Sequence, residues 1–162
     1  EQTLRCGQLL ARAAGPDGIC GGQQMDLEWE GRPLSEDELY QIHLHKTAAL
    51  IRAACLMGVV AGGGTPEQEE AAAEFADHLG MAFQIRDDIL DVTATEEELG
   101  KPIGSDRANE KTTYVTLYGT ERCEQLVLEH TRQAKAALAR TTWAEEPGFL
   151  LWLADRLALR KK

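Results

Sequence analysis

Apolar residues recur at three- and four-residue spacings along most of the chain and never alternate with period two for more than a few positions. That pattern predicts helices and no sheet. Leu4, Leu9 and Leu10 mark a first helix over 3–14, stopped by the breaker cluster Gly15-Pro16-Asp17-Gly18. A second runs from about 18 to 29 and ends at Glu30-Gly31-Arg32-Pro33. Ser35, with Glu38 three positions later, forms a capping box that opens a long helix reaching about Ala61. Gly62-Gly63-Gly64 closes it, and Thr65-Pro66 begins a fourth helix, with proline at the first helical position, that extends to about Val92. Residues 93–113 are polar, contain Gly and Pro, and read as a loop. Helices over about 120–140 and 147–160 complete the chain, without an internal repeat.

The length of 162 residues suits one domain with a sizeable core. A net charge of -10 excludes nucleic acid as the main partner, because nothing neutralises a phosphate backbone. A small phosphorylated substrate remains compatible, since divalent cations bridge carboxylates to phosphate oxygens. Cys6, Cys20, Cys55 and Cys123 show no paired spacing and read as reduced thiols of a cytoplasmic protein. The longest stretch without charged or strongly polar residues, Ala53 to Gly64, falls short of the roughly 20 residues of a membrane span. The chain opens on Glu1 within helix-forming sequence, which reads as a fragment or a trimmed chain.

The richest chemistry lies in Met81-Ala82-Phe83-Gln84-Ile85-Arg86-Asp87-Asp88-Ile89-Leu90-Asp91-Val92. On a helix Gln84, Asp87, Asp88 and Asp91 stand at i, i+3, i+4 and i+7, one face. Three carboxylates on one stripe repel unless a cation sits between them, and no Lys or Arg of this stripe supplies one. A solvated acidic face is the plainer reading; the amide and the apolar flanks favour a polar wall lining a cavity. Oxygen-only ligands suit Mg²⁺ rather than zinc. Lys46-Thr47 heads a fifteen-residue run whose only charge is Arg52. Lys46 either meets an anion there or snorkels to solvent. Gly100-Lys101-Pro102-Ile103-Gly104, with Lys111 beyond, suits a flap over phosphate but is a weak signal alone.

Gly21-Gly22-Gln23-Gln24-Met25-Asp26, His45-Lys46-Thr47, Phe83 to Asp91, Gly100 to Asp106 and Lys111-Thr112-Thr113-Tyr114, in that order and spacing, resemble the trans-isoprenyl diphosphate synthases, most closely the bacterial farnesyl type. The resemblance implies an all-α bundle of long antiparallel helices around a deep cavity, the isoprenoid synthase fold, as a homodimer. It implies Mg²⁺-dependent head-to-tail condensation of an allylic diphosphate with isopentenyl diphosphate through an allylic cation. Asp87, Asp88 and Asp91 would then be metal ligands, Asp87 foremost. Lys46, Lys101 and Lys111 would hold diphosphate, and Thr47 and Gln84 would turn oxygens toward the cation. Asp106 would support them, and Gln23 and Asp26 would sit across the cavity, or else form a buried pair joining helices.

The resemblance covers only the carboxyl-terminal half of the family's pattern. The upstream aspartate-rich motif and the isopentenyl diphosphate site have no counterpart here. The other acidic runs, such as Glu36-Asp37-Glu38, read as helix starts or solvated surface. Arg160-Lys161-Lys162 reads as a solvated, frayed end. This polypeptide alone is therefore expected not to turn over, and to pair with the missing half or with another copy. A non-catalytic partner subunit of a full-length synthase, and a geranylgeranyl rather than farnesyl product, are the alternatives.

Overall fold

The structure, a computed structural model, describes residues 1–93 and 111–160. Its elements are α1 (Gln2–Ala14), α2 (Ile19–Glu28), α3 (Glu36–His43), α4 (Ala49–Ala61), α5 (Pro66–Thr93), α6 (Tyr114–Leu138) and α7 (Gly148–Ala158). A π-helical turn, Leu44–Ala48, joins α3 to α4. No strand occurs among the described residues.

The capping box opens α3 as expected: the Glu38 amide donates to Ser35 Oγ, and Glu38 Oε2 accepts from the Ser35 amide at 2.9 Å. α5 is the central helix, because its long stretch of small and apolar residues buries more than one face. Ala71, Ala72, Phe75, Ala76, Leu79, Met81, Ile85 and Ile89 are all buried. Its upper half packs Phe75 and Leu79 against Ala134, Leu138 and Ala154 of α6 and α7. Its lower half packs Met81, Ile85 and Ile89 against Leu39, Tyr114, Cys123 and Val127. Pairing order shows the helices antiparallel. Glu74 meets Arg140, His78 meets His130 and Arg86 meets Glu124, so positions fall along α5 as they rise along α6. Thr47 with Gln84 and Arg52 with Asp77 show the same for α4 and α5. Arg86, nearly buried, spreads both guanidinium nitrogens over Glu124 at 2.7 Å each, a bidentate tie between α5 and α6.

Two sequence expectations are corrected here. The helix expected to run uninterrupted from Ser35 to Ala61 widens into a π turn at Leu44–Ala48. The helix expected from Thr120 begins at Tyr114, capped by a reciprocal Thr113–Thr116 pair, and bends at Gly119, whose φ is 77°. The glycine kinks that helix without ending it. The remaining bounds agree to within two or three residues. Most of the expected loop, with Lys101 and Asp106, lies outside the described residues.

The stretch Glu36–Ala61 is long and apolar enough, by length and composition, to cross a membrane. Within the fold it lies against α1, α2 and α5 and carries the buried His43. All four cysteines are free.

Candidate active site

The π turn is the site's foundation. A π turn takes more residues per revolution than an α turn and shifts side-chain directions, which is why such turns are frequent at functional sites. Two glycines hold it from opposite sides. A Cβ at Gly22 of α2 would lie 2.3 Å from the Lys46 amide nitrogen, and one at Gly80 of α5 would lie 2.6 Å from the Ala48 Cβ. Only glycine permits both approaches. The squeeze directs Lys46 toward α2 and Thr47 toward α5.

Lys46 Nζ donates to Asp26 Oδ2 at 2.6 Å, and Lys111 Nζ approaches both oxygens of the same carboxylate at 3.4 Å. Lys46 thus meets an anion instead of snorkelling, but the anion is internal. Partial burial pushes the Asp26 carboxyl up. The hydrogen bond and charge of Lys46, with Lys111 beside it, outweigh that and hold it below the ordinary carboxylate range.

On the facing wall a hydrogen-bonded chain crosses three helices. Thr47 Oγ1 donates to Gln84 Oε1 at 3.1 Å, and Gln84 Nε2 donates to Asp88 Oδ1 at 3.2 Å. Asp88 Oδ2 accepts from the Tyr114 backbone amide at 2.8 Å, fastening the start of α6. A carboxylate can only accept, so Asp88 fixes the amide orientation of Gln84 and leaves its oxygen toward Thr47.

Between these walls lies a cavity of about 150 Å³, lined by Asp26, Trp29, His43, Lys46, Gln84, Asp88 and Lys111 among others. It brings together five residues singled out in the sequence, Asp26 of α2, Lys46 of the π turn, Gln84 and Asp88 of α5, and Lys111 just before α6. His43 was missed by sequence reasoning. One turn before Lys46, it stacks on Tyr114, and its Nε2 is buried with no partner among the described residues. Burial holds its pKa down at about 4, although Asp26 works the other way, and Lys46 adds to the lowering. It is neutral at physiological pH.

The acidic stripe is divided. Asp88 and Asp91 are buried, at 4% and 3% exposure, whereas the Asp87 side chain is 45% exposed. Asp87 Oδ1 accepts from Arg160 Nη2 at 2.6 Å. Arg160 also donates to the Phe83 carbonyl at 3.1 Å and places its guanidinium 3.9 Å from the Phe83 ring centroid. The stripe's missing cation therefore comes from the end of the described chain. Arg160, expected to be frayed and solvated, is a 17% exposed clamp, because the Phe83 face and the Asp87 charge together hold it. Gln23 is exposed and forms no buried pair with Asp26.

Mg²⁺ keeps several waters and binds through one or two carboxylates plus substrate phosphate. Among the described residues no three acid, His or Cys side chains converge as a cage. A half-exposed carboxylate at Asp87, next in sequence to the cavity-lining Asp88, fits a hydrated ion completed by diphosphate and does not fit a closed all-protein site.

The all-helical bundle, with Lys46, Lys111, Asp26 and Asp88 lining one cavity, has the isoprenoid synthase fold of the solved structures it resembles. The structure of a geranyltransferase from Helicobacter pylori, complexed with magnesium and isoprenyl diphosphate, superposes with a TM-score of 0.78 at 32% identity, over 98% of this chain and 51% of that one. The chain belongs to the polyprenyl synthetase family, whose model matches residues 2–145. It is 44% identical over 135 residues to farnesyl diphosphate synthase of Geobacillus stearothermophilus, covering 83% of this chain and 46% of that protein. It is 40% identical over 152 residues to the chloroplastic geranylgeranyl pyrophosphate synthase of Capsicum annuum, covering 93% and 41%. The chain spans about half the length of the curated relatives it matches.

Proposed function

We propose that this chain forms the allylic-diphosphate half of a Mg²⁺-dependent prenyltransferase that condenses an allylic diphosphate with isopentenyl diphosphate, with farnesyl diphosphate as product. The observation that carries this reading is the convergence of Lys46 and Lys111 opposite the Thr47–Gln84–Asp88 chain across one cavity.

Bound Mg²⁺ would supply positive charge to the departing diphosphate at Asp87. Lys46 and Lys111 would hold the diphosphate oxygens and stabilise the charge that builds on them as the allylic bond breaks. Gln84 Oε1 and Thr47 Oγ1 are neutral oxygens. They would stabilise an allylic cation electrostatically without trapping it. Their orientation is fixed in advance by Asp88, which limits reorganisation during the reaction. The apolar residues Leu34, Leu39 and Ile42 that line the cavity would keep water from the cation. Asp91, and Lys101 and Asp106 outside the described residues, belong to this reading as further metal, diphosphate and supporting groups.

The isopentenyl half of the reaction needs residues for which this chain offers no set, so the isolated polypeptide binds without turning over. It works with the other half of the fold or within a homodimer. Calorimetric titration with pyrophosphate tests the binding half of the reading. Mg²⁺-dependent binding is expected, weakened about tenfold or more in Lys46→Ala. Equal affinity in the two proteins, or no binding with Mg²⁺, defeats it. Farnesyl product formed at ordinary rates by the chain alone would defeat the second part.

A further inference from the structure

Lys46, Lys111 and Asp87, which the proposed function assigns to diphosphate and metal, each already hold a partner of the ligand's sign. The two amines meant for diphosphate converge on the single carboxylate of Asp26, at 2.6 and 3.4 Å. The carboxylate meant for Mg²⁺ holds the guanidinium of Arg160 at 2.6 Å. The pairs come from five different segments of the chain: α2 with the π turn and the stretch before α6, and α5 with the residues after α7. Neither is a near-neighbour pair such as helix sequences produce at i and i+4. Both sit at the border between interior and solvent, the Asp26 and Arg160 side chains each 17% exposed. At such a border a charge without a partner is costly.

We propose that the site rests in a self-paired form, with Asp26 standing in for the diphosphate at Lys46 and Lys111, and Arg160 standing in for the metal at Asp87, and that the two ligands enter by exchange with these pairs. This rests on the proposed function, since it takes the ligands to be Mg²⁺ and diphosphate. Exchange has a consequence for coupling. Pyrophosphate arriving alone must take the lysines from Asp26 and leave a second anion, Asp26, facing it across the cavity. Mg²⁺ arriving alone must displace a cation already paired with Asp87. Arriving together, the metal–diphosphate complex satisfies Lys46, Lys111 and Asp87, and the freed Asp26 and Arg160 gain access to metal-bound water and to phosphate oxygens. Each ligand alone is therefore bound weakly and the pair strongly, a positive coupling between metal and diphosphate set by these two internal partners. It would keep free phosphate and free metal from occupying the site separately.

Calorimetry on the chain with pyrophosphate alone, with Mg²⁺ alone and with both tests this, alongside Asp26→Asn and Arg160→Gln. Asp26→Asn keeps the shape and removes the competing charge, and should bind Mg²⁺-free pyrophosphate about tenfold more tightly than the unaltered chain. Arg160→Gln should bind Mn²⁺, followed by its paramagnetic resonance signal, several-fold more tightly. In both variants the coupling between metal and pyrophosphate should shrink. Equal or weaker Mg²⁺-free binding in Asp26→Asn overturns the role of Asp26, and unchanged Mn²⁺ affinity in Arg160→Gln overturns that of Arg160. Should Asp26→Asn fail to fold, carbon-detected resonance of the unaltered chain reports the same exchange. The Asp26 carboxyl carbon should shift on adding pyrophosphate, and a stationary signal at saturation overturns it. If the unaltered chain binds no pyrophosphate even with Mg²⁺, the proposed function itself falls, and the failure is not one of the exchange alone.

Discussion

At the scale of single residues, the site depends on two side chains that are absent. Gly22 and Gly80 have no Cβ to keep α2 and α5 away from the π turn, and the positions of Lys46 and Thr47 follow from that contact. Gly22→Ala should therefore do more than an ordinary glycine-to-alanine change in a helix, which usually stabilises. The new methyl would lie 2.3 Å from the Lys46 nitrogen and 2.7 Å from its Cα, both backbone atoms that cannot rotate aside. A loss of about 1–3 kcal/mol in chemical denaturation is expected, together with weaker pyrophosphate binding. Unchanged stability would show that α2 can retreat freely and that the squeeze does not set the site. The stripe Gln84, Asp87, Asp88, Asp91 was legible in the sequence, because helical periodicity alone puts those positions on one face. Its division was not legible. The Tyr114 amide that anchors Asp88 and the Arg160 guanidinium that covers Asp87 lie 26 and 73 positions away, and no local pattern announces either contact.

At the scale of helices, α5 and α6 are joined by more than apolar packing. Arg86 and Glu124 tie their lower halves, and a direct His78–His130 contact, Nδ1 to Nδ1 at 3.0 Å, ties their upper halves. The ring centroids are 5.2 Å apart, and a hydrogen bond between the two nitrogens requires one ring to donate its proton and the other to accept it. Burial, then the neighbouring His78, outweighs Glu129 and holds His130 down at about 4. His78 is lowered by burial and Arg140 against the opposing pull of Glu74 and Asp77. Both folded-state values lie below the ordinary histidine value near 6.5. Between the two ranges the unfolded chain binds more protons, so stability rises with pH there. The contribution should be complete above about pH 6.5 and fall away as the pH drops toward about 4, by on the order of 1 kcal/mol for the pair after solvent screening. Urea midpoints compared at pH 7 and pH 4.5 should show this drop and a shallower one in His130→Phe; an identical slope in the variant would remove the pair from the account. The existence of these helices was legible from periodicity and caps, whereas two of their details were not. A π turn leaves no compositional mark, because it arises from packing against Gly22 and Gly80. The first turn of α6 was hidden because Gly119 reads as a stop and because its capping partner is Thr116 rather than the more familiar Glu or Gln.

At the scale of the molecule, the apolar surface exceeds what this chain can cover. Within Glu36–Ala61 the apolar side chains Ile51, Leu56, Met57 and Val59 are only half-buried, although the same stretch carries the site. Leu4 and Leu10 of α1 stand 69% and 48% exposed, and an apolar groove of about 640 Å³ lies open between α4, α5 and α7, lined by Ile51, Cys55, Val59, Phe75, Leu79 and Trp143 among others. In relatives about twice as long, additional chain is available to cover such faces. Exposed apolar surface of this kind favours association, and in a solution of this polypeptide alone the available partner is another copy. Sedimentation velocity should accordingly show species heavier than one chain that grow with concentration. The formal charge of -10 opposes that association. Added salt screens the repulsion and leaves the apolar attraction intact, so association should strengthen as ionic strength rises, opposite to the behaviour of a contact held by ion pairs. Replacing Leu4 and Leu10 together by Gln removes apolar surface that the chain's own core hardly uses. It should move the distribution toward monomer while leaving the melting temperature nearly unchanged. A strictly monomeric chain in high salt would mean that these faces are tolerated in water, and the argument for a missing complement would then rest on the sequence pattern alone.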